Sequence, residues 1–400
     1  MITQSQARRH ARTQQRAQSR PRAHTAVLAA LTALLLAGTV GCTPTPGPTP
    51  EVDATSLAAK VTAAFTEEAE RLDLVGAFLL VRTPEGEFTA ASGSTEMGTQ
   101  TAPTADTVFR IGSNTKTMTG TVILQLVDEG LIRLDDTVSM YQPDVPGGDQ
   151  ITIEMLLNMR SGVFDFTTDE RLWEEVFADP ERGWQRDELL AVAYRNEPLF
   201  APGTDYAYSN TNTVLLAVIA EQITGSPIDA LIADRITDPL GLTHTALPAI
   251  DDFSLQEPFT HGYAYLSDDA AEPEDVTFLN PSWVSAAGAG VSTATELADW
   301  VEALTGGELL SEELQAQRLA SIAPIPGAPD AENWGYGLGI AKLHGLLGHN
   351  GMIPGYNSYM GTDPARGLTV IIWANVAPTS DGESPVDQLA STVVPLLLAE

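Results

Sequence analysis

Phe109-Arg110-Ile111-Gly112-Ser113-Asn114-Thr115-Lys116 is followed by an apolar run from Thr117 to Leu131. The octapeptide reads as the end of a short buried strand, a glycine turn and the start of a helix. Met118, Val122, Ile123, Leu124, Leu126 and Val127 recur at helical spacing, and Gly130 supplies the stop. Ser113 therefore falls at a helix N-terminus, where free N–H groups favour developing negative charge. Lys116, one turn on, can reach back to the serine hydroxyl. Serine is a weak nucleophile until a neighbour takes its proton, and this spacing supplies one. The chain has only three lysines, Lys60, Lys116 and Lys342, so a lysine at this position is informative. A capping serine followed by a solvated lysine is the competing reading of the motif taken alone.

Two later motifs weigh toward the first. Tyr208-Ser209-Asn210 closes the segment Phe200-x-Pro202-Gly203-Thr204-x-Tyr206-x-Tyr208, and His349-Asn350-Gly351 lies near the C-terminal end. Together with Ser113-x-x-Lys116, and in this order, they resemble the three signatures of the serine penicillin-recognising hydrolases. The resemblance runs from about Val75 onward. It is closest to the branch holding Streptomyces-type D-alanyl-D-alanine carboxypeptidases, class C β-lactamases and related esterases. Tyr194-Arg195-Asn196 also spells Tyr-x-Asn, but Tyr194 lies within a helical pattern whereas Tyr208 follows a Pro-Gly turn.

The resemblance implies an acyl-enzyme on Ser113, with Lys116 and Tyr208 sharing proton transfer and either one as the base. A phenol beside a protonated lysine should lose its proton more easily than usual. Asn210 is expected to hold an acyl-amide oxygen through its NH2 and to touch Lys116, or to cap the helix that follows. His349 is expected to relay a hydrogen bond to Tyr208 or Ser209. Gly351 would let the strand approach, and the N–H groups of Met352 and Ser113 would form the oxyanion hole. Carboxypeptidases of this branch grip a terminal carboxylate with hydroxyl residues where this chain has Asn350 and Met352, and with an arginine near Ala341-Lys342. Strict D-Ala-D-Ala specificity is therefore not expected. The implied activity is D-alanyl-D-alanine carboxypeptidase-like action on cell-wall peptides. The alternatives are a broad esterase, a class C-like β-lactamase, and a slowly deacylating penicillin-binding sensor or sink.

The 400 residues carry 53 acidic and 21 basic side chains, a net charge of −32. Nucleic acid is excluded as a partner on electrostatic grounds, and anionic membrane surfaces are disfavoured. The expected partner is a small-molecule or peptide substrate. No cofactor is called for, and the histidines show no metal-ligand spacing.

Residues 1–41 read as an export signal: six arginines and no acid before residue 25, an apolar stretch from Ala26 to Val40, then Gly41-Cys42. Cys42 is the only cysteine. It resembles the lipid-modified residue of a bacterial lipoprotein, with residues 42–52 as a Pro/Thr-rich tether. Contact with the membrane would be through that lipid alone, placing the protein on the outer face of the cell membrane. Thr39 departs from the lipoprotein pattern, so simple secretion stays open.

Beyond the tether, helical spacing over Asp53 to Leu72 precedes a hairpin of Val75–Val81 and Phe88–Ser92. Helical patterns dominate to Trp283. Strand-like runs return at Trp334–Gly339, Leu346–Gly351, Tyr356–Met360 and Leu368–Asn375, before an apolar helix from Val386 to Leu398. The fold class is α/β of the α+β type. An antiparallel sheet is flanked by N- and C-terminal helices, with a large helical insertion and the site at their junction. Residues 53–111 with 285–400 form the sheet-containing half, and 112–284 the mainly helical half.

Overall fold

The structure is a computed structural model that describes residues 56–267 and 270–399. The export segment, the tether and Cys42 lie outside the described residues.

The helix Leu57–Arg71 begins at Ser56, whose hydroxyl accepts from the Ala59 N–H, and buries Val61, Phe65 and Ala69. Strands β1 (Gly76–Thr83) and β2 (Gly86–Gly93) form the expected hairpin. A short β3 (Phe109–Arg110) leads to the nucleophile segment and pairs with β6 (Val291–Ser292), while β4 (Tyr263–Ala264) pairs with β5 (Glu274–Asp275). The remaining strands are β7 (Ala323–Pro324), β8 (Gly335–Tyr336), β9 (Ala341–Leu343), β10 (Leu346–Ile353), β11 (Tyr356–Asp363) and β12 (Leu368–Ala374). One antiparallel sheet of eight strands runs in the order β2-β1-β12-β11-β10-β9-β8-β7.

Helices cover this sheet on both sides, which is why β1 and β12 read as continuous apolar runs and not as alternating ones. Leu79, Val81, Val370 and Ile372 face the packed pair Leu57–Arg71 and Pro385–Leu398. Phe78, Leu80, Ile371 and Trp373 face the other way, into the core shared with the helix Ala294–Gly306. Trp373 stacks on Phe78 at 6.0 Å and on Phe109 at 5.2 Å between ring centroids. That stack ties the strand preceding Ser113 to the middle of the sheet.

Between β3 and β6 the chain is mostly helical: Thr115–Asp128, Ile153–Leu157, Glu170–Ala178, Arg186–Tyr194, Asn210–Thr224 and Ile228–Ile232. This segment leaves and rejoins the sheet-bearing part at one point, where the Ile111 N–H donates to Gly290 O at 2.9 Å. Two features differ from the sequence reading. The run Trp334–Gly339 yields only the two-residue β8, and a helix forms over Glu312–Ala320. That helix buries Leu314 together with the polar Gln315 and Arg318, so its inward face does not read as an apolar stripe.

Candidate active site

Ser113 lies in a single 3-10 turn, Gly112–Asn114, that runs directly into the helix Thr115–Asp128. Gly112 takes φ +53, a left-handed value that glycine adopts without strain. The turn is fastened on two sides. Thr115 Oγ1 donates to Gly112 O at 2.7 Å and accepts from the Gly290 N–H at 3.0 Å. Asn114 Nδ2 donates to Ile111 O at 3.0 Å and to Ser358 Oγ of β11 at 2.7 Å.

Lys116 is 1 % exposed and has three oxygen neighbours. Its Nζ is 2.9 Å from Ser113 Oγ, 2.7 Å from Asn210 Oδ1 and 2.6 Å from Ala287 O. Burial pushes the ammonium down to about 7, against the opposing charge of Asp165. A neutral amine has two N–H bonds and one lone pair. Asn210 Oδ1 and Ala287 O can only accept, so the two N–H bonds go to them and the lone pair is left for the Ser113 hydroxyl proton.

Tyr208 comes from the 201–209 loop, which is fixed by the Gly203 N–H on Arg160 O (2.8 Å) and the Ala207 N–H on Met159 O (3.1 Å). Its hydroxyl is hydrogen-bonded to Ser113, and its ring lies 4.8 Å from Lys116 Nζ. The expected acidification of this phenol does not occur. Desolvation raises its pKa well above the ordinary value despite the bond to Ser113. The buried amine that was to acidify it is itself only about half charged near neutrality, and it lies over the ring, 4.8 Å from the centroid. Lys116 is thus the group poised to accept a proton, and Tyr208 stays a phenol.

Asn210 opens the helix Asn210–Thr224 with Oδ1 on Lys116. Its NH2, expected to meet substrate, is bonded instead to Asp165 and Thr167. His349 reaches neither Tyr208 nor Ser209 by a hydrogen bond. Its Nδ1 lies 2.5 Å from Asn350 O, which fixes Nδ1 as the protonated nitrogen and leaves Nε2 to accept from the Tyr336 hydroxyl at 3.2 Å. Burial, and secondarily the Lys116 charge, push this imidazole down to about 3, so it is neutral. Its ring still lines the site, 6.1 Å from that of Tyr208.

Gly351 packs against the turn so closely that a Cβ there would overlap Ile111 O and lie 2.8 Å from the Ser113 nitrogen; a Cβ on Gly112 would lie 2.7 Å from the Met352 nitrogen. The two N–H groups named for the oxyanion hole therefore stand across one narrow gap. Asn350 is turned elsewhere: its Nδ2 donates to Asp387 of the C-terminal helix at 3.2 Å. Of the residues singled out from sequence, Ser113, Lys116, Tyr208, Asn210, His349, Gly351 and the Met352 backbone converge, and the Asn350 side chain does not. Asp165, Ala287 and Tyr336 carry no motif of their own and join the site only through the fold.

The model of the family described as "Beta-lactamase" matches residues 61–393. A D-stereospecific amidohydrolase from a Streptomyces species superposes with a TM-score of 0.73 at 31% identity, covering 83% of this chain and 98% of that one. Penicillin-binding protein 4 of Amycolatopsis lactamdurans is 28% identical over 317 residues, 75% of this chain and 80% of its own length. Unguisins hydrolase ungD of Aspergillus violaceofuscus is 28% identical over 376 residues, which cover 84% of this chain but only 64% of that protein.

Proposed function

Because the chain belongs to the beta-lactamase family and is a serine hydrolase, we propose that it cleaves amide bonds of D-configured residues through an acyl-enzyme on Ser113. D-alanyl-D-alanine carboxypeptidase-like action on cell-wall peptides is the first form of that activity. The observation that carries the reading is the placement of Lys116 Nζ 2.9 Å from Ser113 Oγ, where its neutral form has a lone pair to receive the serine proton.

The steps follow from the groups present. Ser113 Oγ gives its proton to Lys116 Nζ and bonds to the substrate carbonyl carbon. The N–H groups of Ser113 and Met352, held on either side of the close Gly112–Gly351 contact, receive the oxyanion. The proton on Lys116 then passes through the Tyr208 hydroxyl to the departing nitrogen, the C–N bond breaks, and the amine leaves. Water attacks the ester by the reverse route: Lys116 takes its proton and returns it to Ser113 Oγ as the acid is released.

A second reading, hydrolysis of D-amino acid amides that lack a terminal carboxylate, is favoured by one observation. Asn350, one of the positions where a carboxylate grip would lie, spends its amide on Asp387. Export and lipid attachment at Cys42 are part of the same proposal and rest on the sequence of residues 1–52.

The purified protein would be mixed separately with a D-Ala-D-Ala peptide, a D-amino acid amide, nitrocefin and p-nitrophenyl acetate. Release of D-alanine or of the D-amino acid, lost in Ser113→Ala, is the expected result. Hydrolysis that survives Ser113→Ala would remove the nucleophile, and acylation without product in every assay would replace the hydrolase by a sink.

A further inference from the structure

Lys116 is held on its far side by Asn210, and Asn210 is itself held. Its Nδ2 donates to Asp165 at 3.2 and 3.3 Å and to Thr167 Oγ1 at 3.0 Å, and its backbone N–H donates to Asp165 Oδ1 at 3.2 Å. Thr167 adds its own N–H to Asp165 Oδ1 at 3.2 Å and its hydroxyl to Oδ2 at 2.9 Å. Asp165 is 5 % exposed. Among the described residues, no arginine, lysine or histidine nitrogen lies within ion-pair distance of it. A buried carboxylate without a counter-ion is costly, and here four donors occupy its oxygens. No capacity remains for a substrate group.

Such a carboxylate can only accept, so it dictates the orientation of the amide beside it. Were Asn210 turned over, its carbonyl oxygen would face two carboxylate oxygens and its NH2 would face the N–H groups of Lys116. We propose that Asp165 is a positioning residue of this site: through Asn210 it fixes which atom Lys116 meets, and its charge supports the lysine once Ser113 has given up a proton. The proposal rests on the reading of Ser113 as an acylated nucleophile.

The other groups around the lysine cannot share the second task. Tyr208 is a neutral phenol, His349 a neutral imidazole pushed down to about 3, and Asn210 and Ala287 present carbonyl oxygens. The Asp165 charge alone opposes the desolvation of the Lys116 ammonium. Removing it should leave the amine harder to protonate.

The test is Asp165→Asn in the full chain, with kcat and KM for p-nitrophenyl acetate followed from about pH 5 to 9, beside wild type and Ser113→Ala. The expected result is a loss of roughly ten- to hundredfold in kcat, with little change in KM. The acid limb of the profile also moves to lower pH. A merely structural role would reduce the active fraction and leave the limb in place. An unmoved limb beside an inactive Ser113→Ala overturns this proposal alone, whereas turnover surviving Ser113→Ala overturns the acyl-enzyme reading and this proposal with it. If Asp165→Asn shows no cooperative melt, Thr167→Val keeps the charge but removes the hydroxyl clip. It should then lower kcat per acylatable site, with sites counted by burst titration, without moving the limb, and an unchanged kcat per site there also overturns the proposal.

Discussion

Gly112 and Gly351 meet face to face, one on the turn that carries Ser113 and the other on β10, with no room for a side chain on either. Each is small for the sake of the other's backbone. A methyl on Gly351 would run into the Ile111 carbonyl, which is main chain and cannot rotate away, so strand and turn would have to part. Gly351→Ala should therefore separate the two oxyanion donors and lower kcat on p-nitrophenyl acetate by about 10²- to 10³-fold. A wild-type rate would mean that the oxyanion is bound elsewhere.

A base that must be neutral to act gives a rate that climbs with pH through its pKa. With Lys116 at about 7, kcat/KM for p-nitrophenyl acetate should be low in acid, rise through neutrality and level off above it. His349, at about 3, stays neutral throughout and adds no second limb. The Tyr208 phenol, raised by burial, adds no loss at mildly alkaline pH. A profile flat between about pH 5 and 9 would remove Lys116 as the base.

Tyr208→Phe separates two roles that the sequence left together. If the phenol carries a proton to the leaving group, its loss should cost roughly 10²- to 10⁴-fold in kcat on an amide, while the acid limb set by Lys116 stays where it was. Disappearance of that limb would make the phenol the base after all. The comparison needs only steady-state rates at several pH values.

Cys42→Ala tests the envelope assignment without touching the catalytic groups. Lipid attachment requires the thiol, so the variant should leave the membrane pellet and appear in the soluble exported fraction. A variant that stays in the pellet would defeat the lipoprotein proposal while leaving the hydrolase intact.

What could be read from the chain was what local sequence determines. The Ser113 turn, the helix after it and the strands from Leu346 onward depend on periodicity and on glycine positions, and both survive tertiary packing. The direction of the Tyr208 shift could not be read, because it depends on burial and on a lysine whose own charge is suppressed by burial. Asp165 was equally hidden: an aspartate two residues before a threonine is ordinary turn chemistry until Asn210 arrives from 45 residues away. Ala287 contributes only a carbonyl oxygen, which no side-chain pattern can announce. His349 was expected to relay a hydrogen bond to Tyr208 or Ser209; its ring lies beside that of Tyr208, but its partner is Tyr336, on a strand of just two residues.

The position of β12 sets a condition on how the molecule is assembled. β1 pairs along one side with its hairpin partner β2, but its other side is satisfied only by Leu368–Ala374, nearly three hundred residues later. An apolar strand made among the first must therefore wait, one side unpaired, for one made among the last. Ser113, whose approach strand is stacked on Trp373 through Phe109, waits with it. A chain of this design cannot acquire its reactive hydroxyl geometry until Leu368–Ala374 has been made and is free to dock.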